Sequence, residues 1–349
     1  MKDTGNMATA IRNYPHPFAD EWRYEDPSTM NFPERLVRKR GLIPVSSRHA
    51  NIPKYTGKVP VYGVLAQLPY LIPFAIAPSA IRVVFTAFTG RTIHSVGMFF
   101  IAWFVYYAMF GRYGDHLNNL ALKFGYLDGN VERDSIARGQ VPKMFQQMLT
   151  GISMRAAMLV FLAYDRDEPL NLSLWLPLQL CAMSIIADFM YYWVHRLTHE
   201  VDWLWYLHRL HHTTKHPNFL LLSYADEPQE IFDALASPIF MYMLYPVSFD
   251  TLAIWTVLYL SIETMGHAGL RIYYPPVLTT PFLRPFGLEV VLEDHDLHHR
   301  MGWRKSFNYS KQSGIWDALF GTRGERIETY DENVDWDSSL DEWLTKQSA

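Results

Sequence analysis

The chain concentrates histidine in three short motifs between residues 195 and 299. The motifs read His195-Arg-Leu-Thr-His199, His208-Arg-Leu-His211-His212 and His295-Asp-Leu-His298-His299. Residues three and four apart share one face of an α-helix, so each motif can present its imidazoles together. Neutral imidazole binds zinc, copper, iron and nickel. Eight histidines exceed the three or four protein ligands of one zinc site, so we expect a pair of metals rather than scattered surface histidines.

Composition limits the kind of metal site and the class of protein. The chain has 349 residues, 49% of them hydrophobic, and a single cysteine, Cys181. One cysteine forms neither an intrachain disulfide nor a thiolate cage, so the metal ligands must be nitrogen and oxygen. The 31 basic and 35 acidic side chains give a net charge of −4 and leave no broad basic surface. Nucleic acid is therefore excluded as a partner.

Long apolar runs indicate the elements that position these motifs. Residues 61–81 and 169–187 carry no charge, and residues 93–111 carry only His94. Each run approaches the roughly 20 residues that span the hydrocarbon core of a membrane. Weaker runs are 144–164, which contains Arg155, and the pair 234–249 and 251–262, which Asp250 separates.

The pattern predicts an all-α integral membrane protein with about four to six membrane-embedded helices and a cytosolic, histidine-rich metal-binding cap. The alternative is a soluble α-protein that buries these helices. Residues 31–58 contain seven basic residues and a single acidic one, Glu34. The positive-inside rule therefore places this flank in the cytosol. No cleavable signal peptide is recognised, so we expect the flank to stay attached. Counting crossings from there brings all three motifs and both termini to the cytosolic face.

The motifs and their surroundings resemble those of the fatty acid hydroxylase and sterol desaturase superfamily, the integral-membrane, histidine-rich di-iron oxidases. The resemblance covers roughly residues 145–322. It rests on these segments: Asp188-Phe-Met-Tyr-Tyr-Trp-Val-His195-Arg-Leu-Thr-His199, His208-Arg-Leu-His211-His212 with His216-Pro-Asn, Glu263-Thr-Met-Gly-His267-Ala-Gly-Leu, and His295-Asp-Leu-His298-His299 leading into Phe307-Asn-Tyr-Ser and Trp316-Asp317-Ala-Leu-Phe320-Gly321-Thr322.

The resemblance implies a ligand set and one departure from it. The implied metal ligands are nine histidines: His195, His199, His208, His211, His212, His267, His295, His298 and His299. Where related enzymes carry His-Pro-x-Glu, this chain has Glu227-Pro-Gln-Glu230, so Glu227 is a candidate oxygen ligand. His216 stays open as a further ligand. Asp188 lies seven residues before His195, hence on the same helix face, where it either orients an imidazole or is a charge at a helix end.

The implied reaction is hydroxylation, desaturation or stepwise C–H oxidation of an apolar lipid, sterol or terpenoid-like substrate. It implies two iron ions, which zinc can replace on purification, with dioxygen as co-substrate, at the endoplasmic reticulum membrane. The chain has no dinucleotide fingerprint, so the implied partners are a cytochrome b-type electron carrier and its NAD(P)H-dependent reductase. Arg300, Arg304 and Lys305 are candidates for docking that carrier, and contacts with lipid phosphates or solvent explain them equally well. The alternatives are a zinc-dependent membrane hydrolase and a non-catalytic membrane metal-binding protein.

Four segments are expected. Residues 1–60 form a cytosolic N-terminal segment, and residues 61–143 form a transmembrane pair with a cytosolic loop. Residues 144–322 form a fatty acid hydroxylase-type catalytic domain, and residues 323–349 form an acidic C-terminal tail.

Overall fold

The computed structural model describes Trp22 and residues 25–39, 56–129 and 131–339. These residues are mostly helical. The helices are α1 Phe32–Lys39, α2 Val64–Thr89, α3 Ser95–Phe124, α4 Val141–Ala163, α5 Leu176–Glu200, α6 Asp202–His208, α7 Glu227–Ile231, α8 Ser237–Leu244, α9 Phe249–Gly266, α10 Thr280–Leu283, α11 Leu292–Met301 and α12 Ile315–Leu319. Single helical turns lie at Pro27–Thr29, Arg138–Gln140, His211–Thr213, Phe219–Ser223, Arg284–Phe286 and Asp331–Asn333, and a π-helical turn lies at Phe232–Ala236.

Two short strands add a small sheet to this helical fold. Strand β1, Val59–Val61, pairs in parallel with β2, Val334–Ser339. The pairing brings the chain just before α2 together with the chain after the last histidine motif. The basic N-terminal flank and the acidic tail predicted from the sequence lie in part outside the described residues.

Among the described residues, three helical segments are long and apolar enough to cross a membrane: α2, α3, and α4 together with the turn before it. Large apolar side chains on α2 and α3 are exposed on the protein surface; among them are Ile72, Ile76, Val84, Phe88, Phe100 and Phe104. Such a surface is unfavourable in water and favourable against hydrocarbon. The prediction of an all-α membrane protein is confirmed.

Of the other apolar runs, only residues 251–262 lie in a wholly buried helix, whereas Leu174, Trp175 and Leu178 of the run 169–187 are exposed. Residues 169–187 enter a helix only at Leu176, and that helix continues to Glu200. In the pair 234–262, α8 has only 8 residues, and every residue of α9 is buried. Helix α9 packs against α2, α3, α4, α5 and α11. Burial in protein and burial in lipid require the same apolar composition, so the sequence alone does not separate them.

Buried ion pairs explain the charges that interrupt two apolar runs. Asp250, at the start of α9, accepts two hydrogen bonds from Arg82 of α2, at 2.9 and 3.0 Å. Near the other end of α9, Glu263 accepts one from Arg155 of α4, at 2.8 Å. A buried charge is tolerated only when it is paired, and these pairs fix α9 against two of the candidate membrane helices.

The loop after α3 anchors the helix that carries the last histidine motif. Arg133 pairs with Asp296 of α11 at 2.5 Å and donates to the Gly269 carbonyl at 2.8 Å. Gly269 has a φ of +61°, and a Cβ there would lie 2.0 Å from the guanidinium carbon of Arg133. Only glycine therefore permits both the turn and the close approach of the arginine.

Candidate metal centre

The nine histidines singled out in the sequence converge in the interior as two groups. The larger group contains His195, His199, His208, His212 and His298, and the smaller contains His211, His267, His295 and His299. Within each group, the candidate ligand atoms lie within 4.8 Å of one another, and all nine side chains are buried. We call these the five-histidine group and the four-histidine group.

Helical geometry distributes the motifs between the groups. Histidines four residues apart stay together: His208 and His212 enter the five-histidine group, while His295 and His299 enter the four-histidine group. The histidine between them in each motif enters the opposite group, because its side chain points about 100° away from its neighbour's. The sequence predicts that each motif acts as one ligand unit. Instead, the second and third motifs each contribute to both groups, so the two groups adjoin.

Backbone carbonyls orient most of the imidazole rings. In six rings, Nδ1 lies 2.6–3.3 Å from a main-chain oxygen: His195 on Tyr309, His199 on Trp303, His211 on Tyr224, His267 on Glu263, His298 on Phe307 and His299 on Thr214. A carbonyl only accepts, so Nδ1 carries the proton in these rings. The Nε2 lone pair is therefore directed into the group, as in metal sites whose histidines are held by outer hydrogen bonds.

These lone pairs face one another at short range. In the four-histidine group, Nε2 of His267 lies 3.2 Å from Nε2 of His211 and 3.1 Å from Nε2 of His295. His211 and His267 both carry their proton on Nδ1, so the contact between their Nε2 atoms joins two acceptors and has no hydrogen bond. A cation between them removes this repulsion.

The five-histidine group has the same geometry around His212. Its Nε2 lies 3.1 Å from Nε2 of His199, 3.0 Å from Nε2 of His208 and 3.0 Å from Nε2 of His298. The Nε2 atom of His195 is buried without a hydrogen-bond partner among the described residues. Buried nitrogens without donors are costly unless a metal uses them, so the residues present fit a bound metal in each group.

Burial keeps these histidines neutral. Desolvation lowers the pKa of His211 to about 3 and that of His199 to about 4. For the other seven, burial and neighbouring imidazoles hold the pKa well below its ordinary value of 6.5. Neutral imidazole is the form that binds metal, so the groups are ready to bind cations at physiological pH.

Asp188 supports the site in a way that the sequence did not predict. Its carboxylate does not contact an imidazole. It accepts three backbone N–H groups, from Lys311, Gln312 and Ser313, and the Ser313 hydroxyl, all at 2.8–3.0 Å. The expectation that it orients an imidazole directly is therefore wrong, because the loop after α11 occupies its face of α5. Asp188 fixes the loop that supplies the Tyr309 carbonyl to His195.

Glu227 and His216 lie outside both groups. Glu227 is the first residue of α7 and is exposed, so its carboxylate lies at the surface. The Nε2 atom of His216 is 3.1 Å from Asp128, so that ring is held by a carboxylate outside both groups. The isolated His94 caps the start of α3, and His116 bonds to Tyr62; His16 and His49 lie outside the described residues.

Next to the metal centre is a small cavity that the sequence did not predict, with a volume of about 20 Å³. Its polar lining consists of Ser223 and five ionisable side chains, Arg155, Glu230, Asp233, Glu263 and Lys311. Glu230 packs on Gly151, where a Cβ would lie 2.3 Å from its carboxylate. Burial raises the pKa of Glu230 to about 7. Of the two glutamates in Glu227-Pro-Gln-Glu230, it is therefore Glu230 that lies in the interior and lines this cavity, whereas Glu227 is exposed.

The basic residues near the centre are mostly paired. Arg300 lies 3.4 Å from Asp128, and Arg304 contacts Asp202 at the start of α6. Lys305 is exposed.

The sequence did not predict the backbone carbonyls that orient the imidazoles. The only signal for them was the Phe307-Asn-Tyr-Ser segment, whose Tyr309 and Ser310 backbone N–H groups are bound by Asp317.

Comparison with known proteins agrees with this geometry. The family model described as fatty acid hydroxylase matches residues 180–322. The chain is 44% identical over 237 residues to the fatty acid hydroxylase vlmA of a Lecanicillium species, covering 64% of this chain and 65% of that protein. It is 33% identical over 187 residues to methylsterol monooxygenase 2-2 of Arabidopsis thaliana, covering 52% of this chain and 67% of the relative.

A third relative is a very-long-chain aldehyde decarbonylase of Oryza sativa subsp. indica, 32% identical over 173 residues, covering 47% of this chain and 62% of that protein. No solved structure matches the chain. The matched region includes every histidine of both groups and the loop that Asp188 holds. Together, the motif order, the family model and relatives at one third identity or more establish that the chain belongs to the fatty acid hydroxylase and sterol desaturase superfamily.

Proposed function

We propose that this protein is a membrane-bound, dioxygen-dependent di-iron oxidase that oxidises a C–H bond of an apolar lipid, sterol or terpenoid-like substrate by hydroxylation, desaturation or stepwise oxidation. The five-histidine group would hold one iron and the four-histidine group the other. The observation that carries the proposal is the pair of adjoining, buried, all-histidine groups whose lone pairs converge.

The spacing of the nitrogens favours a metal with more than four ligands. For metal–nitrogen bonds of about 2.0–2.1 Å, nitrogens 3.0–3.2 Å apart subtend roughly 90–105° at the ion. That angle is smaller than the tetrahedral angle, and five histidines exceed a tetrahedral set. Tetrahedral zinc with four ligands therefore fits the five-histidine group less well than iron, which also binds imidazole.

The chain's own residues would position and shield the metals. The six backbone carbonyls fix ring orientation, and burial of all nine imidazoles excludes bulk water. Bound iron would supply the one-electron reduction of dioxygen and the oxidant for an unactivated C–H bond, which no side chain provides. Because each histidine stays neutral, the ligand set adds no negative charge to the irons. Glu227 is left out of the proposed ligand set because its side chain is exposed.

The relatives and the apolar exterior support the proposed substrate class. The three relatives are named for a fatty acid, a methylsterol and a very-long-chain aldehyde, all of which partition into a membrane. Residues 144–322 would form the catalytic domain, preceded by the membrane pair in 61–143 and a cytosolic segment 1–60, and followed by an acidic tail at 323–349. Electrons would come from a cytochrome b-type carrier and its NAD(P)H-dependent reductase.

Location and orientation are part of the proposal. The centre and both termini would face the cytosol at the endoplasmic reticulum. Protease added to sealed microsomes should then remove both tails. Protection of the segment beyond Gly321 would show the opposite orientation for that end and contradict the single cytosolic face.

The direct test is metal analysis of protein purified without oxygen, followed by addition of dioxygen and a reductant in the presence of a lipid extract. We expect two irons per chain and a new product that contains oxygen from labelled dioxygen or has lost hydrogen. A variant lacking His212 and His267 is the control for both groups. Zinc with dioxygen-independent turnover would establish a hydrolase instead, and bound metal without turnover on any lipid would indicate a non-catalytic protein.

A further inference from the structure

A separate cavity of about 620 Å³ lies between the first half of α2 and the second half of α3. Its size is that of a typical small-ligand pocket. It lies outside residues 180–322, the region that the family model matches. We call it the α2–α3 pocket. Its lining includes Pro69, Tyr70, Pro73 and Phe74 of α2 and Arg112, Asp115, His116, Asn119 and Lys123 of α3.

Tyrosines connect the wall of this pocket to the start of α11. Tyr62 lines the pocket, and its ring centroid lies 5.0 Å from that of Tyr274. Tyr274 in turn shares a 2.6 Å hydrogen bond with Tyr113. The Tyr274 carbonyl accepts the Leu292 N–H at the start of α11. Tyr274 therefore links the wall of the pocket to the first residue of the helix that carries the last histidine motif.

The pocket carries two unpaired positive charges. Arg112 and Lys123 are 11 residues apart on α3, which places them about 16 Å apart along the axis and on nearly the same face. Neither side chain has an ion pair or hydrogen bond within the part of the chain that the structure describes. Asp115 is the one acid among the described residues that line the pocket. Arg112, Lys123 and Asp115 together therefore give the pocket an excess of one positive charge.

The wall between the cations is aromatic and fixed in place. The Nε2 atom of His116 is 2.8 Å from the Tyr62 hydroxyl. The Tyr70 ring stacks on His116 with a centroid distance of 3.7 Å. Phe74 and Pro73 extend this apolar wall towards the exposed Ile76. The lining therefore combines a rigid apolar strip with positive charge.

The end of an apolar run places the pocket near the level at which α3 would leave the hydrocarbon core of a membrane. The apolar run 93–111 ends immediately before Arg112. On α2, Phe74 lies in the apolar run 61–81, in which Ile72, Ile76 and Ile81 are exposed. A hydrocarbon chain can therefore reach the pocket from the bilayer, while Arg112 lies where lipid headgroups begin.

We propose that the α2–α3 pocket binds an anionic phospholipid, with its phosphate near Arg112, its headgroup extending towards Lys123 and its first acyl carbons along Tyr70 and Phe74. The volume exceeds what a single carboxylate head needs, and the excess positive charge selects an anionic head over a neutral one. This site is distinct from the metal centre, and its occupant is not oxidised there. It would anchor α2 and α3 at the membrane surface next to the catalytic domain.

The test is native mass spectrometry of the full chain in neutral detergent, titrated with phosphatidylglycerol or with phosphatidylcholine of the same acyl chains. We expect selective retention of phosphatidylglycerol. One cation at a membrane surface contributes about fivefold in affinity, so Arg112→Gln with Lys123→Gln should weaken binding by roughly thirtyfold. Arg112→Lys should retain most of it.

The matched control is Arg91→Gln, an exposed arginine in the link between α2 and α3, away from the pocket. It should bind phosphatidylglycerol as the unchanged protein does. Metal content and unfolding temperature verify that each variant is folded, and they make the result independent of the proposed oxidase activity. Equal binding of both lipids, full retention in the double variant, or preferential occupation by oleate would each overturn the proposal.

Discussion

The division of nine histidines into two groups predicts two metals that can be removed separately. His212 is the best residue to change because its Nε2 lies within 3.1 Å of the Nε2 atoms of three other histidines. His212→Ala leaves four of the five rings, and the four-histidine group does not use His212. The equivalent change in the other group is His267→Ala, which removes the ring that contacts both His211 and His295.

The expected loss of affinity is large at one group and small at the other. Changing a residue that only supports a ligand weakens metal binding by about 10- to 100-fold, so loss of a central ligand should reach at least about 100-fold. That corresponds to about 2.7 kcal/mol of lost binding free energy. The metal content should fall from two ions to one per chain in either single variant, and to none in the double variant.

The assay is elemental analysis of the purified variants, with His116→Ala as the matched control. His116 is also a buried histidine with a hydrogen bond and a stacked aromatic neighbour, but it belongs to neither group. It should keep two ions. If either single variant lost both ions, the groups would form one inseparable site. If either kept both ions, the assignment of that group would be refuted.

Three further predictions concern residues around the groups. Asp188→Asn replaces a carboxylate that accepts four hydrogen bonds by a side chain that accepts fewer. It should lower the free energy of unfolding by about 2–4 kcal/mol in denaturant titration. An unchanged midpoint would contradict this role. The pKa of Glu230, raised to about 7 from 4.5, means that the folded protein holds a proton there that the unfolded chain has lost, so stability falls as the pH rises through that window. Glu230→Gln should therefore gain at most about 3 kcal/mol relative to the unchanged protein between pH 5 and pH 8, and parallel stability curves would contradict the shift. Glu227→Gln should retain metal content and unfolding temperature, since its side chain is exposed, and loss of metal would restore it as a ligand.

The composition of the centre could be predicted from the sequence because ligand chemistry and helical spacing are local properties. His195 and His199 lie one helical turn apart, and that fact needs no tertiary structure. The same reasoning predicted two metals from the number of imidazoles. Adjacent histidines such as His211 and His212 diverge by about 100° through local geometry, but which group each ring joins depends on how the turn that carries them is packed.

The long-range contacts were beyond the reach of sequence patterns. Asp188 shares a helix face with His195, and that spacing favoured a direct contact; the backbone of residues 311–313 occupies the face instead. Nothing in the spacing of residues 188 and 311 indicates that they meet. Similarly, the exposure of Glu227 depends on the direction in which α7 leaves the preceding loop, and a motif comparison carries no information about that direction.

The charged residues that interrupt the apolar runs also have long-range partners that the sequence did not predict. Arg155 and Asp250 weakened the sequence-based prediction of membrane helices because an isolated charge in hydrocarbon is unfavourable. Each has its partner on a segment far along the chain, Glu263 at 2.8 Å and Arg82 at 2.9 Å. Pairing converts the charge from an argument against burial into a constraint on which helices meet. Because both pairs include α9, the helix that ends immediately before His267, the charges that obscured the membrane pattern also fix the position of a histidine in the centre.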